Sequence, residues 1–222
     1  MNNRRRLTLT ALAGLLCLLP GARADEQATG GISPDVALQQ LKDGNQRFVA
    51  GKTIHAGGYV TRRTELARSQ KPIAVVVSCS DSRVPPEAVF DQGLGDIFVV
   101  RSAGEVVDDV AIGSIEYAVE HLSTQLILVL GHERCGAVAA AVDGGDARGH
   151  VAAVVKAIQP AVAETKGQPG DPVENAVRAN TLRVARLLRT STPVLAERVK
   201  SGKLKIVAAR YDLDTGQVEI LE

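Results

Sequence analysis

The chain has 222 residues, is 45% hydrophobic and carries a formal net charge of +1, which suits one globular domain with a substantial core. Charge this close to balance excludes the basic footprint of a nucleic-acid or anionic-membrane binder. Aromatic residues make up 3% and Trp is absent, so a platform for stacking bases is excluded too.

The first residues stand apart from that core. Arg4, Arg5 and Arg6 precede an apolar run over 7–19, Pro20 and Gly21 end it, and Ala22-Arg23-Ala24 forms a small-x-small site before Asp25. This is the pattern of a secretory signal peptide over residues 1–24. It leaves a single mature domain over 25–222 that is periplasmic or secreted. The run is shorter than the roughly 20 residues of a membrane span, so no stable anchor is expected after cleavage. A lipoprotein reading through Cys17 is weaker, because Leu16 stands where a small residue is needed. The consecutive arginines leave both Sec and twin-arginine export open. Cleavage leaves two cysteines, Cys79 and Cys135, which form either one disulfide or two thiolates on a metal.

Residues 25–33 are polar and loose. Ser33-Pro34 then opens a helix, with Ser33 as cap and Pro34 at its first position. Val36, Leu38, Leu41 and Phe48 give it an apolar side, and Gly51 closes it. Residues 61–69 read as a second, charged helix. Residues 73–77 are a continuous apolar, β-branched run, the pattern of a strand buried on both faces; 97–100 and 126–130 repeat it. Between those two, residues 107–122 set Val110, Ala111, Ile115, Ala118 and Leu122 on one side of a helix. Residues 151–163 and 173–200 read as helices and 205–209 as a fourth strand. The Asp214-Thr215-Gly216 turn leads into a short edge strand over 217–221. The alternation predicts an α/β fold: a mainly parallel sheet of four strands plus an antiparallel edge strand, with helices on both faces. Arg178, Arg183, Arg186 and Arg189 read as a solvated helix face, since the net charge is small.

Two segments carry chemistry, each at the carboxyl end of a predicted strand. One is Cys79-Ser80-Asp81-Ser82-Arg83, the other Gly131-His132-Glu133-Arg134-Cys135-Gly136. Ligands of open α/β sheets bind beyond such ends, where strand order reverses. The 53-residue separation of Cys79 and His132 holds one strand and one crossover helix, and right-handed crossovers can set the two motif strands side by side. Two thiolates and one imidazole form a soft, tetrahedral zinc set. A structural zinc would need a fourth Cys or His nearby. Its absence leaves the fourth position to water, substrate or Asp81, as in a catalytic site. Asp81 and Arg83 can form a carboxylate–guanidinium pair by two parallel hydrogen bonds, and its place directly after Cys79 favours a role in the reaction over an ordinary turn ion pair.

These segments, with Lys71-Pro72, Val84-Pro85-Pro86-Glu87, the Gly95–Arg101 run and Ala103-Gly104, resemble the beta-class carbonic anhydrases from about residue 36 to 142 and more weakly beyond. The resemblance implies hydration of carbon dioxide to bicarbonate by one Zn2+ per subunit, held by Cys79, His132 and Cys135. It makes Asp81 and Arg83 the catalytic dyad, with Asp81 as the alternative fourth ligand. It places Gln70, Phe98, Tyr117 and Gly136 around the substrate, partly across a subunit interface, in a homodimer or homotetramer. Ser102 and Glu105 depart from it, because many members carry Asn at both positions. Rival readings are a carbon disulfide or carbonyl sulfide hydrolase on the same scaffold and a zinc-stabilised binding module without turnover. A dinucleotide-binding domain fails for want of G-x-G-x-x-G after a strand, and a thioredoxin-like enzyme for want of C-x-x-C. His55, His121 and His150 read as surface or packing residues, so no proton shuttle is named.

Overall fold

A computed structural model describes residues 31–55, 59–145 and 147–222; the signal peptide read over 1–24 lies outside the described residues. Helix α1 (Pro34–Val49) begins where Ser33 and Pro34 predict, with the Val36 amide donating to Ser33 Oγ at 3.4 Å. Its buried stripe is Ala37, Leu41, Gly44 and Asn45, while Val36 is 49% exposed. The stripe obeys helical periodicity but includes a polar residue, so an apolar count alone misplaces it. Buried Asn45 is satisfied: Nδ2 donates to the carbonyls of Val89 (3.1 Å) and Gly216 (2.8 Å), and Oδ1 accepts from the Val218 amide at 2.9 Å. Helix α2 (Tyr59–Leu66) starts earlier than expected and buries none of its residues.

The chain then runs β1 (Ala74–Cys79), α3 (Pro86–Val89), β2 (Ile97–Ser102), a 3-10 turn (Ala103–Glu105), α4 (Asp109–His121), β3 (Leu126–His132) and α5 (Gly136–Asp143). It continues through α6 (Val151–Thr165), α7 (Pro172–Thr190), α8 (Val194–Lys200), β4 (Lys205–Tyr211) and β5 (Val218–Ile220). The sheet order is β2-β1-β3-β4-β5, parallel except for β5 on β4, as the alternation of elements predicts. The short helices α3 and α5 went unseen in the sequence. Helix α4 begins at Asp109 because Asp108 caps the Ala111 amide at 2.9 Å, and Val110, expected on its inner side, is 78% exposed. The 173–200 stretch divides into α7 and α8, because Ser191 leaves the helical region (φ −68°, ψ 114°) two residues ahead of Pro193. Strand β2 is an edge and is half-buried, not sealed on both faces.

Side chains alternate across the inner strands. Val75, Val77, Ile127, Val129, Ile206 and Ala208 pack with residues of α4, α7 and α8 on one face. Ala74, Val76, Leu126, Leu128, Leu130, Val207 and Ala209 pack with α1 and Phe90 on the other. The four arginines of the stripe on α7 all meet carboxylates: Arg178 meets Glu174 and Glu219, Arg183 and Arg186 meet Glu164, and Arg189 meets Glu222.

Candidate metal centre

Strand β1 lies between β2 and β3, so the crevice beyond its carboxyl end is the point where strand order reverses. Cys79 is the last residue of β1, His132 the last of β3, and Cys135 directly precedes α5. The register of β1 on β3 pairs Ser78 with Leu130, which carries the two motifs to the same level. Only glycine fits at 131, since a Cβ there would lie 2.0 Å from Thr181 Oγ1 on α7.

The ligating atoms of Cys79, His132 and Cys135 lie within 4.8 Å of one another, and all three residues are buried. Both cysteines are free, with their sulfurs 3.9 Å apart. A disulfide would hold them at about 2.05 Å. Two Zn–S bonds of about 2.3 Å at a tetrahedral angle set them roughly 3.8 Å apart. His132 Nδ1 lies 2.9 Å from the Glu133 carbonyl; donating there leaves Nε2 as the nitrogen with a free lone pair. Nε2 is buried and has no hydrogen-bond partner, an arrangement that native interiors avoid unless something else meets the atom. Sulfur separation and bare nitrogen both fit a tetrahedral zinc.

Charge at the site is already arranged. The hydrogen bond from the Cys135 thiol, helped by the adjacent His132 ring and the Gly104 amide, holds Cys79 down to about 4 against the cost of burial. The shared proton and burial push Cys135 up. Burial works to lower the pKa of His132, but the closeness and negative charge of Cys79 prevail and raise it. Asp81 Oδ1 accepts from Arg83 Nε at 2.9 Å and from the Arg83 amide at 2.9 Å, while Oδ2 accepts from Nη2 at 2.7 Å. This clasp holds the carboxyl well below the usual carboxylate range. Asp81 Oδ2 stands 3.8 Å from His132 Nε2. Arg101 pins the loop from beneath, with Nε donating to the Cys79 carbonyl (2.9 Å) and Nη2 to those of Asp81 (2.6 Å) and Val84 (3.2 Å).

The fold thus joins five of the expected residues: Cys79, Asp81, Arg83, His132 and Cys135. Gly136 is exposed at the start of α5, with open space where a Cβ would point. Three others lie elsewhere on this chain. Gln70 is exposed in the loop before β1. Phe98 pairs with Val75, while Cys79 pairs with Ser102, and four residues of strand amount to about 13 Å. Tyr117 is 49% exposed on α4, its ring centroid 5.0 Å from that of His121.

Sequence reasoning missed a layer behind Cys79. The Gly104 amide donates to Cys79 Sγ at 3.3 Å. Glu105 is 1% exposed, and its Oε1 accepts from Asn180 Nδ2 at 2.8 Å and from Thr181 Oγ1 at 3.3 Å. Burial pushes Glu105 up to about 7. The available signal was on α7, where Asn180 and Thr181 interrupt an inward stripe of Ala176, Val177, Val184, Ala185 and Leu188.

Fold and cluster define an α/β protein with a buried cysteine–histidine cluster able to hold a metal, beside a carboxylate. Residues 74–218 match the family described as Carbonic anhydrase. Carbonic anhydrase 2 of Mycobacterium tuberculosis is 43% identical over 189 residues, covering 83% of this chain and 91% of that protein. The carbonic anhydrase of Mycolicibacterium smegmatis is 41% identical, covering 85% and 93%. Among solved structures, a tetrameric beta-carbonic anhydrase of Sordaria macrospora aligns with TM-score 0.67 at 26% identity, covering 84% and 97%. The chain belongs to the beta-class carbonic anhydrases, lyases that interconvert carbon dioxide and bicarbonate.

Proposed function

We propose that the protein hydrates carbon dioxide at one zinc per chain held by Cys79, His132 and Cys135, and that it works outside the cytoplasm after losing residues 1–24. The observation that carries the site is the buried, partnerless His132 Nε2 beside two free sulfurs 3.9 Å apart. Bound zinc would supply a Lewis acid that makes water acidic enough to react near neutral pH.

The protein's own groups do the rest. Asp81, kept ionised by Arg83, accepts a hydrogen bond from the attacking oxygen and turns its lone pair toward the carbon of carbon dioxide. Arg83 fixes that carboxylate by two side-chain bonds, 2.9 and 2.7 Å long, and the amide bond completes the clasp. Water adds to the carbon, bicarbonate forms, and one proton leaves to solvent. Asp81 Oδ2, at 3.8 Å from His132 Nε2, is also the group able to close the site as a fourth ligand. Two thiolates offset the charge of a dication, so activity is expected to rise on the alkaline side of neutrality.

Gln70, Phe98 and Tyr117 contribute, on this reading, to a neighbour's pocket. The distance of Phe98 from the Cys79 register and the exposure of Tyr117 support that assignment, as does the tetrameric state of the Sordaria relative. A homodimer or homotetramer follows. Among the described residues no helix is long and apolar enough to cross a membrane.

The test is zinc analysis and carbon dioxide hydration by the purified mature chain, alongside Cys135→Ala. The wild type should carry one zinc and be active, and the variant should have neither property. An active variant, or a pH–rate profile that peaks near about pH 6 and falls above it, contradicts the proposal.

A further inference from the structure

Glu105 bears three local costs at once. Its φ is +43°, in the left-handed region that L residues other than Asn and Asp seldom enter. It is 1% exposed. Its second oxygen, Oε2, is buried without a hydrogen-bond partner. Unfavourable features gathered at one position persist only where the surroundings enforce them, and they cluster at functional sites.

The surroundings lead in one direction. Asn180 Nδ2, itself buried, donates both to Glu105 Oε1 (2.8 Å) and to the Gly104 carbonyl (2.9 Å). Thr181 adds a bond to the same Glu105 oxygen at 3.3 Å. Gly104 is left-handed as well, at φ +65°, and a Cβ there would fall 2.6 Å from Ile158 Cδ1. Its amide donates to Cys79 Sγ at 3.3 Å. Helix α7 therefore holds the 3-10 turn through Glu105 and the Gly104 carbonyl, and the turn presents one N–H to a metal-binding sulfur.

We propose that Glu105 and Asn180 are positioning residues for Cys79: together they clamp the Ala103–Glu105 turn so that the Gly104 N–H stays on the Cys79 sulfur and orients it toward the metal. The inference rests on the reading of Cys79 as a metal ligand. A hydrogen bond to a thiolate stabilises its charged form and drains electron density from the sulfur. Groups one layer behind metal ligands typically change affinity by about 10–100-fold when removed. Gln at 105 would keep the acceptor for Asn180, whereas Ala would lose it.

The experiment measures zinc affinity by competition with a chelator, and the thiolate-to-metal charge-transfer band of the Co2+-loaded protein, for Glu105→Ala, Asn180→Ala and Glu105→Gln. Circular dichroism confirms the fold of each. Folded Glu105→Ala and Asn180→Ala should bind zinc about 10–100-fold more weakly and shift the cobalt band, while Glu105→Gln stays within about threefold of wild type. Wild-type affinity and an unmoved band in both alanine variants overturn the proposal. Should those variants not fold, the intact zinc-loaded protein decides. Its Gly104 amide should exchange with solvent as slowly as amides of β1 and β3, and rapid exchange overturns the proposal. Cys79→Ser separates the premise: if it binds zinc like wild type, the ligand assignment fails, whereas zinc loss there with unchanged affinity in the alanine variants defeats the clamp alone.

Discussion

Two groups of three metal-capable side chains lie near each other at the same end of the sheet, and they differ in what their atoms touch. Cys79, His132 and Cys135 are all buried; Glu133, Asp212 and Asp214 are half-buried to exposed. In the second group every residue already has partners. Asp214 takes a two-pronged bond from Arg134, at 2.8 and 2.9 Å. Asp212 accepts from the Thr215 amide and hydroxyl and from Arg210, and Glu133 accepts from the Leu213 amide at 3.1 Å. The first group instead leaves His132 Nε2 bare in the interior. Proximity of ligand types is therefore a weak criterion; a buried, partnerless nitrogen that faces two free thiols is a strong one, because a shared metal would offset its cost.

The sharpest way to break this contrast is to remove one residue from each group. His132→Ala should reduce zinc content to background and hydration to the uncatalysed rate, whereas Asp214→Asn should leave both unchanged. Zinc lost equally from the two variants would erase the distinction. A smaller effect is expected one step out from the metal. Arg83→Ala should retain zinc and lose activity by about 10–100-fold. Asp81 would relax toward its ordinary pKa of about 3.9 and remain ionised, so the loss should be uniform from about pH 6 to 9. A loss confined to one end of that range, measured by stopped-flow hydration, would contradict the role given to the clasp.

The two regions should also respond oppositely to pH. Hydrogen bonds from Thr215 and the Arg210 side chain hold Asp212 down to about 2, so its contribution to stability is present above the ordinary carboxylate range and is lost as pH falls toward that value. Glu105 is raised to about 7 by burial. The native chain then holds a proton that the unfolded chain has released, and stability falls as pH rises from about 4.5 to 7. Glu105→Gln removes that slope. In the metal-free protein its stability relative to wild type should improve between pH 5 and pH 8 by about 3 kcal/mol at most. An equal offset at both pH values in denaturant melts would rule out a buried titrating Glu105. The smallest effect is expected at the surface: Arg186→Ala, which removes a 3.5 Å contact between exposed partners, should change stability by less than about 0.5 kcal/mol.

The sheet was legible because its inner strands are continuous apolar runs of strand length with few competing interpretations. Helix faces were less so. On α1 the inward stripe includes Asn45, and on α4 Val110 points outward, since hydrophobicity alone does not set the phase of a short helix. The ligands and the Asp81–Arg83 pair could be read because each falls within a few residues of a strand end. The layer of Gly104, Glu105 and Asn180 could not. It joins residues 75 or more positions apart, and no local pattern announces a contact at that separation. The placement of Phe98 followed only from strand register, which set it well below the cluster on its own chain.

X-ray absorption at the zinc edge of the purified protein tests the central claim most directly. The account predicts two sulfurs at about 2.3 Å and two lighter atoms at about 2.0–2.1 Å around each zinc. A shell without sulfur, or zinc-free protein whose Cys79 and Cys135 are joined as a disulfide, would contradict it.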